Sequence, residues 1–253
     1  MKLYKVRAVV LNSRAMCDAD RVLTLYAQEN GKIRAVAHGA AKPTSRKRGA
    51  VQPFSYTYFL LRRGRELDSV SQCEGLEIFP GIWSDLDRMT YAGHVTELVD
   101  GLTAEGEPNG DIFKLLLHTL RLLENTVDVE LTLRYFELRL VALLGYLPYL
   151  EGCANCGGEA FDPRARFSAA AGGLVCPQCS RGAGEIPCTK ETVAVMKMLL
   201  HWDAGKINRI RVSQSSRAEM RCIMREYLQW HMEKRSRSLY FMERLHAYRP
   251  NGV

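Results

Sequence analysis

The spacing of apolar positions changes character once along this chain, near Pro80. Before it, hydrophobic residues alternate with polar ones, as in half-buried strands. Tyr4 to Asn12 is Val-rich, and Arg21 to Gln28 sets Val22, Thr24 and Tyr26 against Leu23, Leu25 and Ala27. Asn30-Gly31 then reads as a two-residue hairpin turn into Lys32 to Ala37. Phe54 to Arg62, a turn at Arg63-Gly64, and Arg65 to Glu74 complete five strands. Five strands in under eighty residues predict a small closed Greek-key barrel of the OB type, with an SH3-like barrel as its nearest competitor.

Past Pro80 the period becomes helical. Ser84-Asp-Leu-Asp87 resembles a capping box opening a helix that runs toward Gly106. Ile112 to Leu123 is a second helix. Val129 to Leu144 is a third, apolar on nearly every side and therefore expected at the centre of a helical domain, with Gly145 as its C-cap. Thr189 caps a further helix through about Trp202. Lys206 to Val212 is β-prone, and Ser216-Arg-Ala-Glu219 reads as a capping box ahead of a helix carrying Met220, Ile223, Met224, Tyr227, Leu228 and His231. His231 on this apolar face is expected to pack rather than to ligate. The expected architecture is α+β and multi-domain: a five-stranded OB-fold barrel over 1–80, then an α-helical domain over 81–253.

Between the third and fourth of these helices lies a different signal. Cys153-Ala-Asn-Cys156 and Cys176-Pro-Gln-Cys179 are two Cys-x-x-Cys knuckles at a separation suited to one tetrahedral zinc ion. Gly157-Gly158 and Gly172-Gly173 supply turns for a small metal-clipped hairpin. The expectation is a single structural zinc in an insertion at about 150–188. Four thiolates close the coordination shell, whereas a catalytic zinc keeps a position open.

Charge adds a second candidate surface. The net charge is +7 overall, yet residues 1–80 carry +7, residues 81–152 carry −7, and residues 153–253 carry +7. The most basic stretch, Gly39 to Gly49, places Lys42, Arg46, Lys47 and Arg48 within seven residues. Long cationic side chains on a loop held off a barrel by Gly and Pro suit phosphates; a merely solvated loop is the alternative. Tyr26, Phe54, Tyr56, Tyr58 and Phe59 offer stacking surfaces for unpaired bases, although alternation sends about half of them inward. Arg217, Arg221 and Arg225 form a ridge on the late helix, either cationic or paired with Glu219 and Glu226.

The motifs of several enzyme classes are missing. No His-x-Glu precedes the knuckles as a deaminase requires. No His-Glu-x-x-His or Gly-x-Ser-x-Gly occurs, and Gly31-Lys32 lacks the upstream Gly of a P-loop. The six histidines are dispersed. The start lacks the apolar core of a signal peptide, and the most apolar stretch, Leu131 to Leu150, carries Arg134, Glu137 and Arg139. Cys17, Cys73, Cys188 and Cys222 are unpatterned, which suits a reducing cytoplasm. A non-enzymatic, cytoplasmic protein is expected.

Several stretches together resemble the RecO family of bacterial recombination mediators in its zinc-containing form. They are Asp20-Arg-Val-Leu-Thr-Leu-Tyr, Asn30-Gly-Lys, Gly39-Ala-Ala-Lys-Pro, Val51-Gln-Pro-Phe, Arg134-Tyr-Phe-Glu-Leu-Arg-Leu, Leu144-Gly-Tyr-Leu-Pro, the two knuckles and Ser238-Leu-Tyr-Phe. The resemblance implies binding of single- and double-stranded DNA and annealing of strands coated with single-strand-binding protein (SSB). It further implies cooperation with RecR, the SSB tail and sometimes RecF in loading RecA. It places DNA contacts on Lys42, Arg46, Lys47 and Arg48, and less firmly on Arg21, Lys32 and Arg34. A zinc-ribbon regulator that reads duplex sequence and a zinc-dependent nuclease are the rival readings.

Overall fold

The computed structural model describes residues 2–17, 19–45, 47–161, 165–232 and 236–248. Two compact units emerge from chain contacts: Met1–Asn125 with Tyr240–Val253, and Thr126–Leu239.

The first unit is built on five strands, β1 (Leu3–Met16), β2 (Asp20–Ala27), β3 (Gly31–Ala37), β4 (Tyr56–Arg62) and β5 (Asp68–Glu77). They close in the order β1-β2-β3-β5-β4, with β4 returning to β1. The β3–β5 pair is parallel and the others antiparallel, which is the OB arrangement rather than the SH3-like one. Closure is possible because alternate residues of β1 to β4 are apolar: Val6, Ala8 and Val10, Leu23 and Leu25, Ala35 and Ala37, and Phe59 and Leu61 share one core, which Val70 of β5 joins. A shift in register between Val10 and Asn12 bends β1, so its first half pairs with β4 and its second extends along β2. At the β2–β3 turn Gly31 adopts φ +65°. A Cβ there would also fall 2.2 Å from the Glu107 carbonyl oxygen, so glycine meets two demands at once.

Three helices complete this unit: α1 (Pro80–Trp83), α2 (Leu86–Leu102) and α3 (Gly110–Asn125). The α2 cap is Asp85, whose carboxylate accepts from Arg88 N–H at 2.9 Å; the expected start at Ser84 is one residue early because Ser84 already closes α1. The segment joining α2 to α3 lies against the barrel, with Gly106 N–H donating to the Lys32 carbonyl at 3.0 Å.

The second unit contains α4 (Val129–Leu143), β6 (Ala165–Ser168), β7 (Gly173–Val175), β8 (Ile186–Cys188), α5 (Lys190–His201) and α6 (Gln214–His231). A last helix, α7, spans Arg237–Tyr248. Helix α4 is buried on nearly all sides, as its sequence predicts, and packs against both α5 and α6. Its two charged core residues answer each other, with Arg134 Nη1 2.9 Å from the Glu137 carboxylate.

Two expectations are corrected. Lys206 to Val212 is not a strand: Ala204–Arg209 forms a 3-10 helix that buries Ile207, and the segment pairs with no strand among the described residues. Nor does Ser216-Arg-Ala-Glu219 form a capping box. Helix α6 starts earlier, capped by Ser213, which accepts from Ser216 N–H at 3.2 Å. Glu219 is instead drawn to the start of α5, where its carboxylate accepts from Thr189 N–H at 2.9 Å and from the Thr192 hydroxyl at 2.5 Å.

Candidate nucleic-acid interface and metal centre

The basic loop follows β3 and is built by local turns rather than left to solvent. Hydrogen bonds from Ser45 N–H to Lys42, Arg48 N–H to Ser45 and Val51 N–H to Lys47 wind it over the barrel. Ala40 and Val51 enter the barrel core, and Thr57 Oγ1 donates to the Ala50 carbonyl at 2.7 Å. The expectation that Gly and Pro hold the loop away from the barrel is therefore corrected: its alanines and valine are small apolar anchors. Its entry is fixed by Asp20, which accepts from Gly39 N–H at 2.8 Å and lies 2.5 Å from His38 Nδ1. The Gly39 N–H first, and His38 next, hold the Asp20 carboxyl below its ordinary range. Sequence reasoning passed over Asp20 as an anchor, although an aspartate at a strand start facing a glycine turn was a usable signal.

The candidate cations separate into three groups. Lys42 and Arg48 are exposed on the loop, and Arg34 is exposed on the outer face of β3. Arg34 and Arg48 have no acidic partner among the described residues. Lys47 and Arg21 are tied down: Lys47 Nζ donates to the Val70 carbonyl at 3.1 Å, and Arg21 lies along β1 with Nη1 3.4 Å from Ser13 Oγ. Lys32 is committed elsewhere. Its Nζ donates to the carbonyls of Asp100 at 2.5 Å and Thr103 at 2.7 Å, and it is 3.3 Å from the Asp100 carboxylate. An ammonium at a helix C-terminus satisfies carbonyls that the helix cannot. Arg46 lies outside the described residues.

The expected stacking residues also separate. Tyr26, Phe54 and Phe59 are buried. Tyr56 meets Phe113 edge-on at 5.9 Å. Tyr58 shares the outer face of β4 with Tyr56, is partly exposed and has no ring partner among the described residues.

The late-helix ridge is matched within its own unit. Arg217 forms a bidentate pair with Asp128, and Arg221 donates to Glu130 at 2.7 Å. Arg225 pairs with Glu226 at 2.9 Å. The partners are thus the first turn of α4 and Glu226, since Glu219 is occupied at α5. His231 packs, as expected, stacking on Tyr146 at 4.2 Å; burial lowers its pKa.

The four knuckle cysteines come together. Their sulfurs all lie within 4.8 Å of one another, and those of Cys156 and Cys176 are 3.9 Å apart. Tetrahedral zinc with bonds of about 2.3 Å requires sulfurs roughly 3.8 Å apart, so the donor set fits with little adjustment. Each knuckle turns on its first cysteine carbonyl, which accepts from Gly157 N–H at 2.8 Å and from Cys179 N–H at 3.1 Å. Burial favours the neutral Cys153 thiol, but N–H groups of Cys176, Cys156 and Asn155 outweigh it and bring the pKa to about 6. The thiols of Cys176 and Cys156 conversely push Cys179 up to about 12. Four sulfurs this close become thiolates together only around a cation. The strands β6, β7 and β8 form a small sheet beside them, where a Cβ at Gly173 would strike the Tyr149 carbonyl oxygen at 2.3 Å.

Barrel and cluster define an OB-barrel protein whose helical segment carries a four-cysteine site able to hold a metal ion. Comparison with known proteins narrows the class. Residues 1–79 match the family described as Recombination protein O N terminal, and residues 83–239 match Recombination protein O C terminal. The DNA repair protein RecO of Pelotomaculum thermopropionicum is 50% identical over 96% of this chain and 95% of its own length. That of Desulforamulus reducens is 44% identical over 97% and 96%, and that of Desulforudis audaxviator 43% over 97% and 98%. The chain belongs to the RecO family. Among the described residues no helix is long and apolar enough to cross a membrane.

Proposed function

We propose that this chain is a DNA repair and recombination mediator. It binds single- and double-stranded DNA, anneals complementary strands coated with SSB and, with RecR and in some settings RecF, helps load RecA. It works in the cytoplasm, in contact with the nucleoid and with the SSB tail. The observation that carries this reading is the basic loop wound onto an OB barrel, with Lys42 and Arg48 outward and Arg34 on the strand leading into it. Cations fixed on a barrel meet phosphates without reading sequence, and neutralising two strands lowers the repulsion that keeps complementary bases apart. No bond is broken and no nucleotide hydrolysis is needed. Zinc, held by Cys153, Cys156, Cys176 and Cys179, contributes folding energy to its segment rather than chemistry.

The direct test is annealing of SSB-coated complementary strands without ATP, where acceleration is expected and its absence overturns the reading. The loop is tested by Lys42→Gln, Arg46→Gln and Arg48→Gln together. Each lost phosphate contact should flatten the dependence of log affinity on log salt by about 0.7 on single strands. Wild-type slope and affinity in that variant would remove the loop from the interface.

A further inference from the structure

Of the five aromatics that the sequence pattern offers for stacking, Tyr56 and Tyr58 share the outer face of β4; Tyr56 is taken up by Phe113, which leaves Tyr58 without a ring partner among the described residues. It sits on the outer face where β1 pairs with β4. The facing pairs there are Lys5 with Leu60 and Arg7 with Tyr58, all pointing away from the core that holds Val6, Ala8 and Phe59. A shallow cleft runs beside them, lined by Lys5, Arg7, Tyr58 and the β2–β3 turn residues Gln28, Glu29 and Asn30. Lys5 and Arg7 are exposed and have no acidic partner among the described residues.

We propose that this β1–β4 face is a second seat for single-stranded DNA, in which Tyr58 stacks a base while Lys5 and Arg7 take the adjoining phosphates. The inference rests on the DNA-binding reading above and adds a place for the second strand. Residues two apart on a strand are about 6.6 Å apart on one face, so Lys5 and Arg7 form a short cationic track along β1. The acids set the orientation. Glu74 faces Tyr58 from β5 on the side away from β1, and Glu29 stands at the cleft rim. A backbone is therefore drawn to the β1 side of Tyr58, with its base turned over the ring. The side-chain amides of Gln28 and Asn30 offer donors and acceptors to a base edge without selecting one base, which suits sequence-tolerant binding. The loop cations Lys42 and Arg48 stand on the connection from β3 to β4, whereas Lys5 and Arg7 stand on β1 itself. A barrel with two seats holds two strands at once, which is what annealing demands of a single chain.

The test uses the full chain and oligo(dT) of about eight nucleotides, within the range one OB fold covers. Wild type is expected to bind two oligonucleotides per chain. Lys5→Gln/Arg7→Gln is expected to bind one, and so is Lys42→Gln/Arg48→Gln, by loss of the other seat. In parallel, wild type is photo-crosslinked to iodouracil-substituted oligo(dT), and adducts are expected on the peptide bearing Tyr58 as well as on the loop. One oligonucleotide per wild-type chain, with adducts confined to the loop, overturns the second seat and leaves the general reading standing. No oligonucleotide bound by wild type removes both. Crosslinking needs no substitution, so it decides the matter even where the Lys5/Arg7 variant folds poorly.

Discussion

Lys32 reaches from the barrel to the end of α2, where its ammonium donates to the Asp100 carbonyl at 2.5 Å and stands 3.3 Å from the Asp100 carboxylate. A cation that the sequence offers to DNA is used to fasten a helix. Lys32→Gln should therefore cost about 1.5–3 kcal/mol of stability, the range for hydrogen bonds to charged groups. It should leave the salt dependence of DNA binding unchanged. Denaturant unfolding and a salt titration on one preparation decide this; a flattened salt slope with unaltered stability would return Lys32 to the DNA interface.

The neighbouring Gly31 makes a separate prediction. Its φ of +65° and the close Glu107 carbonyl are two distinct obstacles to a side chain. Gly31→Ala meets both and should lose more than about 1 kcal/mol. Gly31→Asn relieves the first, since asparagine tolerates this conformation, but not the second. If denaturation shows Gly31→Asn to be as stable as wild type, the close approach carries no weight.

The barrel and its closure were legible because alternation is a local property: Leu23 and Leu25 declare their face without knowledge of β1. The knuckles were legible for the same reason, each pair being set by two intervening residues. Partners chosen across the fold were not legible. Nothing near Glu219 in sequence announces Thr189 and Thr192, and Ser216 with Glu219 satisfies the capping pattern equally well. Lys32 looks like any strand cation until the end of α2 arrives beside it. The ridge of Arg217 and Arg221 likewise depends on Asp128 and Glu130, some ninety residues earlier. Periodicity identified the elements, whereas long-range charge matching decided which cations remain available.

The Arg217–Asp128 pair gives a pH prediction. Burial tends to raise the Asp128 pKa, but the Arg217 guanidinium and the Leu131 N–H outweigh it, leaving it below its ordinary value. A carboxyl with a depressed folded-state pKa contributes stability above its unfolded value of about 3.9 and loses it as pH falls through the folded pKa. Asp128 also caps α4, accepting from Leu131 N–H at 2.9 Å, and asparagine caps about as well. Asp128→Asn thus removes charge while keeping the cap. It should melt below wild type at pH 7, and the gap should close as the pH drops below about 4. A gap that stays constant into strong acid would mean the pair contributes nothing through its charge.

The metal prediction follows from the closeness of the four sulfurs, all within 4.8 Å of one another. Structural zinc contributes about 10–16 kcal/mol of apparent binding free energy coupled to folding, comparable to the whole stability of a domain. Cys176→Ser should abolish stoichiometric zinc, measured by elemental analysis, and should expose the segment around β6 to β8 to proteolysis. Chelation of wild type should reproduce both effects. The barrel has its own core, with Leu23, Leu25 and Phe59 at its centre, so short oligonucleotide binding should outlast the loss of metal. Zinc loss that leaves the segment protease-resistant would show that β6 to β8 hold together without the ion, and oligonucleotide binding lost in step with zinc would move the DNA interface toward the cysteines.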